Sequence, residues 1–117
     1  MERITAEELD STEAVEGVHL SALAAGERMS LQEFRIEPGK DVPTHSHPHE
    51  QAGYLVRGEL TFVVGEKNGE REEIVLQEGD SYVLPGGEPH AVSNDGDETA
   101  VGIDVFAPPR TDPDWKD

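Results

Sequence analysis

The chain has 117 residues, enough for one domain, and sets 26 Asp and Glu against nine Lys and Arg, a formal net charge of −17. Phosphate backbones and anionic membrane surfaces both call for basic residues, so this balance argues against nucleic-acid and lipid-surface binding. Cysteine is absent, which removes disulfides, a thiolate nucleophile and Cys-ligated metal sites from consideration. No apolar run approaches the ~20 residues of a membrane helix. Met1 to Thr5 has neither the basic nor the apolar region of a signal peptide, and the expected location is the cytoplasm. Acidic residues spread along the whole chain, with Lys only at 40, 67 and 116, suit a halophilic cytoplasm, where concentrated salt screens self-repulsion.

Residues 1–16 are polar and acidic and are expected to form an arm, loose or in a short frayed helix. From Gly17 to Asp117 the chain reads as one β domain with a C-terminal tail. Val18, Leu20 and Ala22 alternate with His19, Ser21 and Leu23. Met29 to Ile36 predicts a second strand, ended by Pro38-Gly39. Tyr54 to Val64 is strand-like but carries Gly58, where a bend or bulge is expected. Asn68-Gly69 signals a hairpin turn. Ile74–Leu76, Ser81–Leu84, Ala91–Ser93 and Thr99–Phe106 complete the strands, with Gly- and Asp-rich turns between them. Short strands at close spacing without a long helix predict a small all-β sandwich or barrel. Pro108, Pro109 and Pro113 keep the tail out of any central strand, and Trp115 is expected to pack on the barrel or on a partner chain.

The most informative stretch runs from His45 to Gln51, His-Ser-His-Pro-His-Glu-Gln. In an extended segment residues two apart share a face, so His45 and His47 can converge on one ion, with Gln51 on the same side. A sheet closed on itself can bring His90 alongside. Imidazoles suit Zn, Ni, Cu, Mn or Fe and leave positions for substrate or water. His49 reads as a rim residue, Glu50 as facing away, and His19 as a surface group.

These residues fall in a pattern that resembles the cupin superfamily. Its first motif, Gly, five residues, His-x-His, three or four residues, Glu, six residues, Gly, is matched by Gly39, His45, His47, Gln51 and Gly58, with Gln in place of Glu. Its second motif is matched in full by Gly79, Pro85, Gly87, His90 and Asn94. The resemblance implies a single-domain jelly-roll β-barrel, commonly dimeric, with one divalent transition metal (Zn, Ni, Mn or Fe) inside. Two further stretches, His45 to Glu59 and Asp104-Val-Phe-Ala-Pro-Pro-Arg110-Thr-Asp112, are similar to the small cupins of the pectin-degradation KdgF type. That narrower resemblance implies an enzyme that converts 4,5-unsaturated monouronates, released by pectate and alginate lyases, to linear ketonised 4-deoxy-uronates. It assigns the metal to His45, His47, Gln51 and His90, and the catalytic roles to Asp104 and Arg110.

The side-chain chemistry agrees with that assignment. A neutral amide leaves a bound dication its full charge, which favours Lewis-acid work over oxygen activation. Arg110 offers a planar fork to a uronate carboxylate, and Asp104, following an apolar run, is placed for proton transfer from a partly desolvated site. The expected partner is a small anionic sugar. The competing expectations are a metal-dependent dioxygenase and a non-catalytic sugar- or metal-binding cupin. A metal-free epimerase fits less well, since such enzymes use a His as base. A homodimer is expected because few hydrophobic residues must stabilise a small barrel with an apolar outer face.

Overall fold

The computed structural model describes residues 1–65 and 69–110. A 3-10 turn, Ala6–Glu8, precedes ten strands: β1 (Ser11–Val15), β2 (Val18–Ala25), β3 (Ser30–Ile36), β4 (Asp41–His45), β5 (Glu50–Arg57), β6 (Leu60–Gly65), β7 (Arg71–Leu76), β8 (Ser81–Leu84), β9 (His90–Ser93) and β10 (Ala100–Ala107). They form two antiparallel sheets, one ordered β1-β2-β3-β10-β5-β8 and the other β4-β9-β6-β7. This is the all-β, jelly-roll architecture expected from the sequence. No helix among the described residues is long and apolar enough to cross a membrane. Asn68 of the expected hairpin turn, Trp115 and Asp112 lie outside the described residues.

Alternation builds the core. Along β10 every second residue, Ala100, Gly102, Asp104 and Phe106, is buried, and β3 and β5 repeat the pattern. Val18, Phe34, Ile36, Leu55, Leu60, Phe62, Leu76, Leu84, Val92 and Ala100 meet between the sheets. Each large side chain among them contributes about 1.5–3 kcal/mol of burial.

Three local outcomes differ from the sequence reading. The stretch 54–64 is two strands in different sheets, because Gly58 at φ +90° turns a corner there and the chain crosses the sandwich. Gly58 also lies so close to Ala100 that a Cβ would stand 3.0 Å from the Ala100 Cα. Within the segment read as an acidic arm, Ser11–Val15 pairs with β2 as an edge strand. β4 is likewise an edge strand and was not expected, since Pro43 interrupts its pattern; Pro is tolerated where one side of the strand has no partner. Neither edge strand contains a fully buried residue, so neither carries the strong apolar-in, polar-out contrast that marks a half-buried strand.

Asn94 fastens the turn after β9 to the other sheet. Fully buried, it donates from Nδ2 to the carbonyls of Ile36 and Glu98 at 2.8 and 2.9 Å, and its Oδ1 accepts from Gly96 N at 2.9 Å. Its backbone also pairs with Gly39 and Lys40.

Candidate metal centre and cavity

His45 closes β4 and His90 opens β9, and the two are register partners, with ring centroids 4.4 Å apart. His47 lies in the loop after β4, its ring centroid 5.3 Å from that of His90 and 5.9 Å from that of His45. One ring nitrogen from each of the three falls within 4.8 Å of the others. Gln51 reaches the same point from β5 in the other sheet, its Oε1 3.0 Å from His47 Nε2. The four residues therefore converge across the sandwich. Residues 46–49 do not continue the strand, so a single extended segment is not what brings His45 and Gln51 together.

Backbone carbonyls set the tautomers. Nδ1 of His45, His47 and His90 faces the carbonyl of Pro43 at 3.0 Å, of His49 at 3.2 Å and of Glu88 at 2.9 Å. With Nδ1–H donated outward, each ring keeps its Nε2 lone pair. The Gln51 amide also hydrogen-bonds Asp104 and Tyr82 in the sense that stabilises their anions, which makes its NH2 the donor there and leaves Oε1 for the histidines. In that tautomer the His47 and Gln51 lone pairs face each other at hydrogen-bonding distance. A cation resolves that opposition, and three neutral imidazoles with an amide oxygen suit a divalent transition metal. Burial, the repulsion of neighbouring imidazoles and the charge of Arg110 disfavour protonation of two of the rings: His47 is shifted down chiefly by desolvation, and His90 is pushed down to about 4, again chiefly by desolvation.

A cavity of about 70 Å³ opens beside this cluster, bounded by His45, Gln51, His90, Asp104, Tyr82 and Arg110 and by core side chains that include Phe34, Phe62 and Phe106. Asp104, 5% exposed on β10, has its carboxyl raised to about 6; desolvation drives the shift, and hydrogen bonds from Tyr82 and Gln51 and the Arg110 charge oppose it. Arg110 is half-buried at the end of the described chain. Its backbone N–H donates to Ser30 Oγ at 2.8 Å, and its guanidinium carbon lies 5.2 Å from the centre of the Phe106 ring. Arg110 therefore places one positive charge at the cavity of a strongly acidic chain.

Of the remaining sequence candidates, Glu50 and His19 stand apart from the cluster and His49 flanks it. Glu50 is exposed on the outer face of β5. His19 pairs with Glu37 at 2.7 Å on the surface. His49 packs edge-on against His47, with ring centroids 5.4 Å apart, and its Nδ1 is buried without a hydrogen-bond partner. Two cavity residues, Tyr82 and Gln32, escaped the sequence reading. Tyr82 shares the inward parity of Leu84 on β8, a signal that alternation alone made available.

The cupin domain model matches residues 32–106. Among solved structures, the chain resembles KdgF from Halomonas sp. at 25% identity and a TM-score of 0.77, covering 95% of this chain and 98% of that one. It resembles an RmlC-like cupin from Shewanella frigidimarina at 24% identity and 0.79, covering 96% and 95%. Among curated proteins, H2HPP isomerase of Bacillus subtilis is 31% identical over 70 residues. That match takes in 60% of this chain and 28% of the relative, so the chain spans less than a third of its length. The matched segment runs from β3 to β10 and includes every residue of the histidine cluster, and on that ground the chain belongs to the cupin family.

Proposed function

We propose that this cupin is a metal-dependent enzyme that opens 4,5-unsaturated monouronates from pectin or alginate breakdown and delivers linear ketonised 4-deoxy-uronates. The observation that carries this reading is that one cavity is bordered by His45, His90 and Gln51 of the donor set, by a buried carboxyl at Asp104 and by Arg110, with His47 beside the other donors. The resemblance to KdgF, which extends over nearly the whole chain, supports the same assignment. His45, His47, His90 and Gln51 would hold the metal, one of Zn, Ni, Mn or Fe. A divalent ion there supplies Lewis-acid polarisation of a substrate oxygen without a redox change.

The chain's own groups do the rest. Arg110 engages the uronate carboxylate through paired N–H donors and orients the sugar. Asp104 accepts the proton released from the anomeric hydroxyl as the bond from that carbon to the ring oxygen breaks, and a proton returns to the enol carbon to form the ketone. No atom is gained or lost, so the net step is an isomerisation. Burial suits Asp104 to this work, because a carboxyl with an affinity for protons nearer neutrality both takes and returns one readily.

The test is turnover of lyase-generated unsaturated monouronates in high salt, followed as loss of the conjugated absorbance with and without chelator. Chelator-sensitive acceleration over the uncatalysed rate is the expected result. A folded, metal-loaded protein without acceleration would overturn the assignment. Oxygen uptake by the iron-loaded form would then indicate a dioxygenase, and tight sugar binding without turnover a non-catalytic module.

The protein pairs with a second copy through the outer face of the six-stranded sheet. Leu31, Val105, Ala52 and Val83 form one cross-strand row on that face, and Ile103 and Tyr54 lie in the next. The outward residues of β3, β10, β5 and β8 are mostly uncharged, so two highly acidic chains meet there with least repulsion.

A further inference from the structure

Four inward positions lie in one cross-strand row: Gln32 on β3, Asp104 on β10, Gly53 on β5 and Tyr82 on β8. Asp104 and Tyr82 are thus separated by a whole strand. Their side chains nevertheless meet, the Tyr82 hydroxyl donating to Asp104 Oδ1. Gly53 makes this possible. A Cβ at that position would overlap the Tyr82 phenol and come within 2.6 Å of Asp104 Oδ1, so the missing side chain is the channel through which the phenol reaches across. The ring itself is held against Phe62, with centroids 4.8 Å apart, which fixes the direction of the hydroxyl.

We infer that Tyr82 is a positioning residue for the reaction: its hydroxyl occupies one oxygen of Asp104 and thereby holds the other toward the cavity for proton transfer. The inference rests on the uronate-opening reading and adds a residue to it. A carboxylate on a short side chain can rotate about its terminal bond. A donor locked onto one oxygen stops that rotation, and the Gln51 amide, which also bonds Asp104, ties the same carboxylate to the metal-ligand cluster. The protein thus presents a pre-set geometry to its substrate, and small misplacements of such groups cost large factors in rate.

Tyr82→Phe removes the hydroxyl and keeps the ring packed on Phe62. The expected result is a kcat lowered about 10- to 100-fold, with KM, metal content and melting temperature close to wild type. A purely structural role would not confine the loss to kcat. The Tyr82→Phe/Asp104→Ala double variant should be no slower than Asp104→Ala alone, since there is then no carboxylate to position. An unchanged kcat in Tyr82→Phe, or additive losses in the double variant, would overturn the inference.

A second measurement needs no substrate. The chain has two tyrosines, and Tyr54 is half-exposed on the outer face, so Cζ-labelled tyrosine gives two assignable carbon resonances. Asp104→Ala should move the Tyr82 resonance and leave that of Tyr54 in place, and no shift would overturn the pairing. If wild-type protein fails to open uronates while this shift is seen, the functional reading falls and the Tyr82–Asp104 device stands for whatever reaction the cavity performs.

Discussion

Nε2 of His47 lies 3.0 Å from Oε1 of Gln51, while Nδ1 of the same ring faces the carbonyl of His49 at 3.2 Å. One neutral imidazole cannot donate to both. A cation at Nε2 satisfies the pair, since it leaves the ring proton on Nδ1 for the backbone and draws Nε2 and the amide oxygen to itself as two lone-pair donors. Metal affinity is therefore expected to be written directly into stability. With free metal at about a hundred times its dissociation constant, binding adds ~2.7 kcal/mol, or on the order of 10 °C in melting temperature for a domain of this size. Chelator should remove that increment, and His90→Ala should abolish both the increment and stoichiometric metal by elemental analysis. Equal melting curves with and without chelator would contradict the assignment.

Asn94 predicts a different kind of loss. Its side chain bonds two carbonyls and one N–H, and each buried polar group left unpaired costs about 1–3 kcal/mol. Asn94→Ala is expected to lower stability by roughly 3–4 kcal/mol in urea unfolding. The variant that remains folded should bind metal at wild-type stoichiometry, because Asn94 fastens the sheets and touches no ligand.

The contrast between these sites shows what the amino-acid sequence made legible. The buried strands announced themselves by alternation, and the motif spacings brought out His45, His47, Gln51 and His90 before any contact was known. What stayed hidden was relational. β1 and β4 lie at sheet edges and bury little, so periodicity is silent about them. Gly58 marked a bend, yet only three-dimensional packing against Ala100 makes that bend a crossing between sheets. The His45–His90 pairing and the Tyr82 hydroxyl reaching past Gly53 depend on register between distant strands, which no local pattern encodes.

The outer face of the six-stranded sheet gives the third prediction. Val83 is 63% exposed and Val56 45%, in a chain where 30% of residues are charged. Val83→Glu adds a charge at the apolar row and should shift the protein from dimer to monomer by light scattering in molar salt, with metal content unchanged. A wild-type monomer under the same conditions would remove the dimer proposal.

The last prediction concerns acid. In chelator-treated protein, His90 and Asp104 bind protons in opposite senses. His90 titrates near 4 when folded against an ordinary 6.5, so the unfolded chain takes the proton first, and stability is lost as pH falls from 6.5 toward 4. Asp104 titrates near 6 when folded against an ordinary 3.8, so the folded chain takes the proton first, and burial of its charge, costly at neutral pH, is relieved as pH falls through 6 toward 4. Each shift corresponds to roughly 3 kcal/mol, and the two largely offset one another across that window. Asp104→Asn removes only the favourable half. Its stability relative to wild type should therefore fall by about 3 kcal/mol between pH 7 and pH 4, read as the difference between paired urea titrations so that the general titration of surface carboxylates cancels. A difference that does not change with pH would show that Asp104 titrates as an ordinary carboxyl, and the account of its burial would have to be abandoned.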